Sequence, residues 1–228
     1  MKPTRDSIEQ RTRVAIVLFH KESELSQVAS GRVGLMFVAS VMFSAVPGFA
    51  VAAPPASAAA CVECHGTDGM GQGGAMIPII AGIPAGHIEQ AIYAYVDGAR
   101  LCVREPRMCE TVAALSDAEA REVAEYFAGQ ERGSAREEFN QDLAAEGEIL
   151  HEKHCSNCHL PPDHKDVAYA VGYPLHGQRS EYLRYAIEAY FAGDREALVE
   201  AMEFQIRSLH AGDLGALVNY YSSYRAGD

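Results

Sequence analysis

The sequence contains no tryptophan in 228 residues. Any broad, flat surface in its interior must therefore come from Tyr, Phe or a bound planar group. Positive charge is scarce, with 19 Lys and Arg against 31 Asp and Glu and a net charge of −12. The acidic residues are scattered, and such a balance repels nucleic acid and anionic lipid, so neither is expected as a partner. Six cysteines are too few for a disulfide scaffold in a chain of this length, so their positions matter more than their number. No alternating apolar and polar run of useful length occurs, which argues against a sheet. At 48% hydrophobic and 22% charged residues, the chain is not disordered, collagenous or multi-span. Its length suits one large domain or two of about 90 residues each.

What is present begins with a leader. Lys2, Arg5, Arg11, Arg13, Lys21 and Arg32 precede an uncharged run over 33–62, within which 33–46 is an apolar core of signal-peptide size. Pro47-Gly48 breaks it, and Ala50-Val51-Ala52 offers a small-x-small cleavage site. Residues 1–52 therefore read as an export signal, with an uncleaved N-terminal membrane anchor as the alternative. Beyond them 13 Lys and Arg face 27 Asp and Glu, a net charge of −14.

Sliding the sequence on itself by about 94 residues reveals an internal repeat. Cys61-Val62-Glu63-Cys64-His65 falls on Cys155-Ser156-Asn157-Cys158-His159, Met108 on Met202, and Tyr126 on Tyr220. With one residue of slack, Gly82 meets Gly177. Ala91-Ile92-x-Ala94-Tyr95-x-x-Gly98-x-Arg100 recurs as Ala186-Ile187-x-Ala189-Tyr190-x-x-Gly193-x-Arg195. Each copy reads as helices. Apolar spacing predicts them over 88–96 and 182–191, with Gly98 and Gly193 as stops. Ser116-Asp117-Ala118-Glu119 is a capping box opening a helix to Phe127, stopped at Gly129, and 210–221 is its counterpart. A further helix is expected from about 135 to 154. The copies join near 129–141, where Gly, Ser and charged residues cluster.

In an exported chain, Cys-x-x-Cys-His reads as a site of covalent haem c attachment. Two thiols form thioethers with the haem vinyl groups and the adjacent His is the proximal iron ligand. Zinc would need four N or S ligands, and no second local pair exists except Cys102 and Cys109 in one copy. A thiol–disulfide motif would expect a βαβ context, which is missing. Cys61, Cys64, Cys155 and Cys158 are thus expected to attach two haems, with His65 and His159 on the irons. The distal ligands should repeat as well. Met108 and Met202 do, each on a loop and eight residues before the start of its copy's last helix, Ser116 or His210; the competing reading is two core methionines. His87, His154, His164 and His176 lack counterparts and read as surface or loop residues.

On these motifs the chain resembles the class I c-type cytochromes, and its tandem arrangement resembles the dihaem cytochrome c4 family over about residues 56–225. The resemblance implies an all-α fold of two tandem cytochrome c domains, 53–130 and 142–228, joined by a linker at 131–141 and each wrapped round one covalent haem. It also implies His65 with Met108 on one iron and His159 with Met202 on the other. Gly147, eight residues before Cys155, permits close approach to the final helix around Tyr220; its counterpart is Ala53, so the first helix must be short or part of the leader retained. Cys102 and Cys109 flank Met108 without partners in the second copy. They read either as a disulfide pinning the ligand loop or as a thiolate ligand to the first haem, as in thiosulfate dehydrogenases.

The function so implied is a periplasmic electron carrier between a dehydrogenase or quinol-oxidising complex and a terminal oxidase or other acceptor. The alternatives are the cytochrome subunit of a flavocytochrome-like sulfide dehydrogenase and a dihaem thiosulfate dehydrogenase, with a peroxidase weaker still. Only Lys153 and Lys165 remain beyond the leader, so redox partners should present basic or apolar docking surfaces. A membrane complex can serve as donor or acceptor.

Overall fold

A computed structural model describes residues 53–104 and 106–227. Every described residue lies in one compact unit. The leader expected over 1–52 lies outside the described residues. No helix among the described residues is long and apolar enough to cross a membrane.

The architecture is all-α. In chain order the helices are α1 (Ala59–His65), α2 (Ala85–Val96), α3 (Pro106–Val112), α4 (Asp117–Ala128), α5 (Gln141–His154), α6 (Ser180–Ala192), α7 (Glu200–Arg207) and α8 (Asp213–Ser223), with 3₁₀ turns at Ala56–Ala58 and Val167–Tyr169. The repeat is visible in the packing. α2 rests on α4 in the first half as α6 rests on α8 in the second. Ile88, Ile92, Val123 and Phe127 form the core of the first half; Leu183, Leu217, Val218 and Tyr221 form that of the second.

Local chemistry sets the helix ends. Ser116 caps α4 in a complete capping box with Glu119, and Asp213 answers it in the second half by accepting the His210 amide at 2.8 Å. Because that carboxylate holds position 210 outside the helix, α8 starts at Asp213, three residues later than expected. α5 likewise starts at Gln141, not near 135. Arg136 takes a left-handed φ of 52°, which no helix tolerates, and the Asn140 side chain accepts the Leu143 amide at 3.0 Å to cap the new start. Gly98 and Gly193, at φ 77° and 80°, turn the chain out of α2 and α6 as a left-handed glycine should.

α5 and α8 form the tightest crossing. A Cβ on Gly147 would strike the Ala216 carbonyl oxygen and come within 2.7 Å of the Tyr220 Cβ. In the first half, α1 has seven residues and is extended backwards only by the 3₁₀ turn that packs on α4.

The halves are tied together by backbone. Leu101 N–H donates to Asp194 O and Glu196 N–H to Ala99 O, both at 2.8 Å, around an antiparallel Arg100–Arg195 bridge. Gln178, 4% exposed, accepts from Ile79 N at 2.8 Å and donates to Ile79 O at 2.9 Å. The connecting segment 131–141 is anchored too. The Arg132 guanidinium donates to the carbonyls of Ile79 and Ala81 in one half and of Pro174 and His176 in the other.

Candidate functional site

Cys61, Cys64 and His65 stand at i, i+3 and i+4 on α1, which places all three on one helix face. In the second half α5 ends at His154, and the next turn carries the motif. Cys155 O accepts from both Cys158 N at 3.1 Å and His159 N at 2.9 Å. Both histidines are buried, at 7% and 8% exposure. His65 Nδ1 donates to Pro78 O at 3.1 Å and His159 Nδ1 to Tyr173 O at 2.8 Å. Each hydrogen bond fixes the tautomer and leaves Nε2 as the free ligand atom. Burial pushes both imidazoles below the usual histidine range, against the raising effect of the carbonyl bond. They are therefore kept in the neutral, ligating form. Gly172 backs the His159 ring so closely that a Cβ there would come within 2.6 Å of it.

Both motifs open on one continuous cavity of about 410 Å³, whose lining is largely apolar and includes Met108 and Met202. The structure places these methionines on α3 and α7, not on the loops expected from sequence. Each short helix packs on the helix before it in its own half. Cys102 and Cys109 are joined by a disulfide, so neither offers a thiolate beside Met108.

Of the histidines expected at the surface or on loops, His164 and His176 both lie on loops, but His176 is only 4% exposed. It packs edge-on against Tyr220, Tyr221 and Tyr224, an aromatic box that only tertiary packing assembles. His87 and His154 are half-buried; His87 Nε2 bonds the Ala170 carbonyl at 3.0 Å, and His154 Nδ1 meets Gln205 Oε1 at 2.8 Å.

Sequence reasoning assigned no role to Arg100 and Arg195, although the repeat aligns them. Both line the cavity and are buried, at 7% and 8% exposure. Arg100 lies 5.2 Å from the Tyr173 ring centre and Arg195 5.4 Å from that of Tyr190. Neither has a carboxylate partner among the described residues. Two desolvated guanidinium groups on an apolar cavity call for anions from a ligand. Two thiols and one neutral imidazole per half, an apolar chamber and one buried cation per half together fit two haem c groups, whose carboxylates the arginines would meet.

The chain is 32% identical over 180 residues to the thiosulfate dehydrogenase electron acceptor of Stutzerimonas stutzeri, covering 73% of this chain and 80% of the relative. It is 28% identical over 181 residues to cytochrome c4 of Pseudomonas aeruginosa, covering 74% and 86%. No family model matches it. Among solved structures, cytochrome c4 from Pseudomonas stutzeri is similar with a TM-score of 0.59 at 24% identity, over 74% of this chain and 95% of that one. Thiosulfate dehydrogenase from Marichromatium purpuratum is similar with a TM-score of 0.60 at 25% identity, over 72% of this chain. This chain spans about a third, 36%, of the length of that enzyme.

Proposed function

The chain belongs to the dihaem cytochrome c4 family, and from this premise we propose that it accepts electrons from a thiosulfate-oxidising dehydrogenase outside the cytoplasm and passes them to a further redox protein. As a family member it is an electron carrier with two covalently attached haem c groups. In our reading Cys61 and Cys64 hold the first and Cys155 and Cys158 the second, each repeat forming a domain around its own haem. His65 with Met108 would hold one iron and His159 with Met202 the other. Bound there, each haem supplies a one-electron iron couple.

The residues do the rest. The Pro78 and Tyr173 carbonyls hold the imidazoles in their ligating tautomer. Two protein ligands on each iron would leave no open coordination site, which would suit outer-sphere transfer and not turnover of a bound substrate. The carrying observation is that both attachment motifs line one cavity, so both groups share one largely apolar interior. The sulfur-compound donor is supported by the name of the Stutzerimonas relative. The Cys102–Cys109 disulfide supports a carrier over an enzyme with thiolate ligation. A second reading, transfer from a quinol-oxidising complex to a terminal oxidase, is favoured by the similarity to cytochrome c4.

The test is anaerobic mixing of the oxidised holoprotein with thiosulfate, with and without a catalytic amount of a thiosulfate dehydrogenase, followed by haem absorbance. Reduction should require the enzyme. Reduction by thiosulfate alone would make this chain the enzyme, and none in either mixture would favour the second reading.

A further inference from the structure

Each proximal histidine leans on one peptide group, and the two groups differ. His65 Nδ1 donates to the carbonyl of the Pro78–Ile79 peptide, and His159 Nδ1 to that of the Tyr173–Pro174 peptide. The positions correspond, since Arg132 donates to the next carbonyl in each half, Ile79 O and Pro174 O. Ile79 carries an N–H and Pro174 has none. With Ile79 at 0% exposure, that N–H cannot reach water and is met by a side chain of the opposite half. It donates to Gln178 Oε1 at 2.8 Å, while Gln178 Nε2 donates to Ile79 O at 2.9 Å. Oε1 also accepts from Arg179 N at 3.0 Å, which ties the amide to the start of α6. On the register that pairs Gly82 with Gly177, Gln178 corresponds to Ile83, whose side chain has no polar atom.

A chain of hydrogen bonds therefore runs from Gln178 through one peptide group to His65. The nitrogen behind the His159 bond can build none. The N–H and C=O of a peptide share one delocalised system. An acceptor on the N–H makes the C=O a better acceptor, because bonds in a chain polarise one another in a low-dielectric interior. A better acceptor draws on the Nδ1 proton and raises the basicity of Nε2, which favours oxidised iron. Distance alone favours the His159 bond, 2.8 Å against 3.1 Å; polarisation acts on the other. Resting on the dihaem reading above, we propose that Gln178 is a positioning residue for the haem of the opposite half, acting through the Pro78–Ile79 peptide and His65 to lower that haem's potential. The first haem is thereby tuned in part by the second half.

The experiment is an NMR-monitored redox titration of the holoprotein and of Gln178→Leu, with haem stoichiometry determined on the same samples. Contacts of each haem's protons with residues of its own half assign the two midpoints. The first haem's midpoint should rise and the second's stay. The expected change is about threefold in the ratio of reduced to oxidised iron, or about 30 mV at 59 mV per decade. In the fully reduced protein the His65 ring N–H proton should move to higher field, and that of His159 should not. Gln178→Leu leaves the Ile79 amide without a partner. The double variant Ile79→Pro with Gln178→Ile removes both partners and installs the second half's own pair of residues. It should raise the same midpoint, and it decides alone if Gln178→Leu does not fold. Lost stability with unmoved midpoints, a fall at the first haem, or a shift at the second would overturn the proposal. A stoichiometry other than two haems per chain would sink the dihaem reading instead.

Discussion

At the scale of single residues, burial decides protonation. Desolvation first, then the neighbouring His151 and His159, push His176 down to about 3. In the unfolded chain the same imidazole takes its proton near the ordinary histidine value of 6.5. Between those limits the unfolded state binds the extra proton, so stability is fully present above 6.5 and drains as pH falls. The slope is about 1.4 kcal/mol per pH unit for one such group. Urea midpoints measured from pH 7 to pH 4 should show this loss, and His176→Phe should flatten it by about one proton. Met108 carries the other prediction at this scale. The reduced wild-type protein should not bind CO at neutral pH, whereas Met108→Ala should bind it at one haem; CO binding by the wild type would mean that the distal positions are open.

Among the elements, the crossing of α5 and α8 is the least forgiving. Gly147→Ala must push a methyl against the Ala216 carbonyl and the Tyr220 Cβ, and both are held by helix backbone. It should cost about 1–3 kcal/mol in chemical denaturation, while Gly86→Ala, with open space around it, should cost nothing. Much of this level was readable beforehand because its causes are local. The capping box at Ser116, the glycine stops and the small residue at 147 each act through neighbours a few positions away or through one repeated contact. The α3 and α7 helices escaped because each is short and opens beside polar residues, so its apolar side, including Met108 or Met202, gains meaning only once the cavity exists. Arg132 escaped for a different reason. In a run of Gly, Ser and charged residues an arginine reads as solvated, and only four carbonyls converging from two halves reveal otherwise.

For the molecule as a whole, charge sets the terms of encounter. A net charge of −14 beyond the leader, with two lysines, leaves little to attract an acidic partner. The second-order rate with a basic redox partner should fall as salt rises, since screening acts beyond about 10 Å at 0.1 M. A flat salt profile would point to apolar docking, and a rising one would refute a basic partner.

The grip of Arg132 on both halves carries a last consequence, for chain continuity. Its side chain, the Gln178 pair and the Arg100–Arg195 bridge hold the repeats together without relying on the peptide that follows Arg132. Arg136 stands exposed in that peptide with a left-handed backbone, four residues past the clamp. A protease that cuts after Arg136 should yield two fragments that still elute as one particle and separate only in denaturant. The covalent link would then be an assembly aid, needed to bring the repeats together and dispensable once they have met.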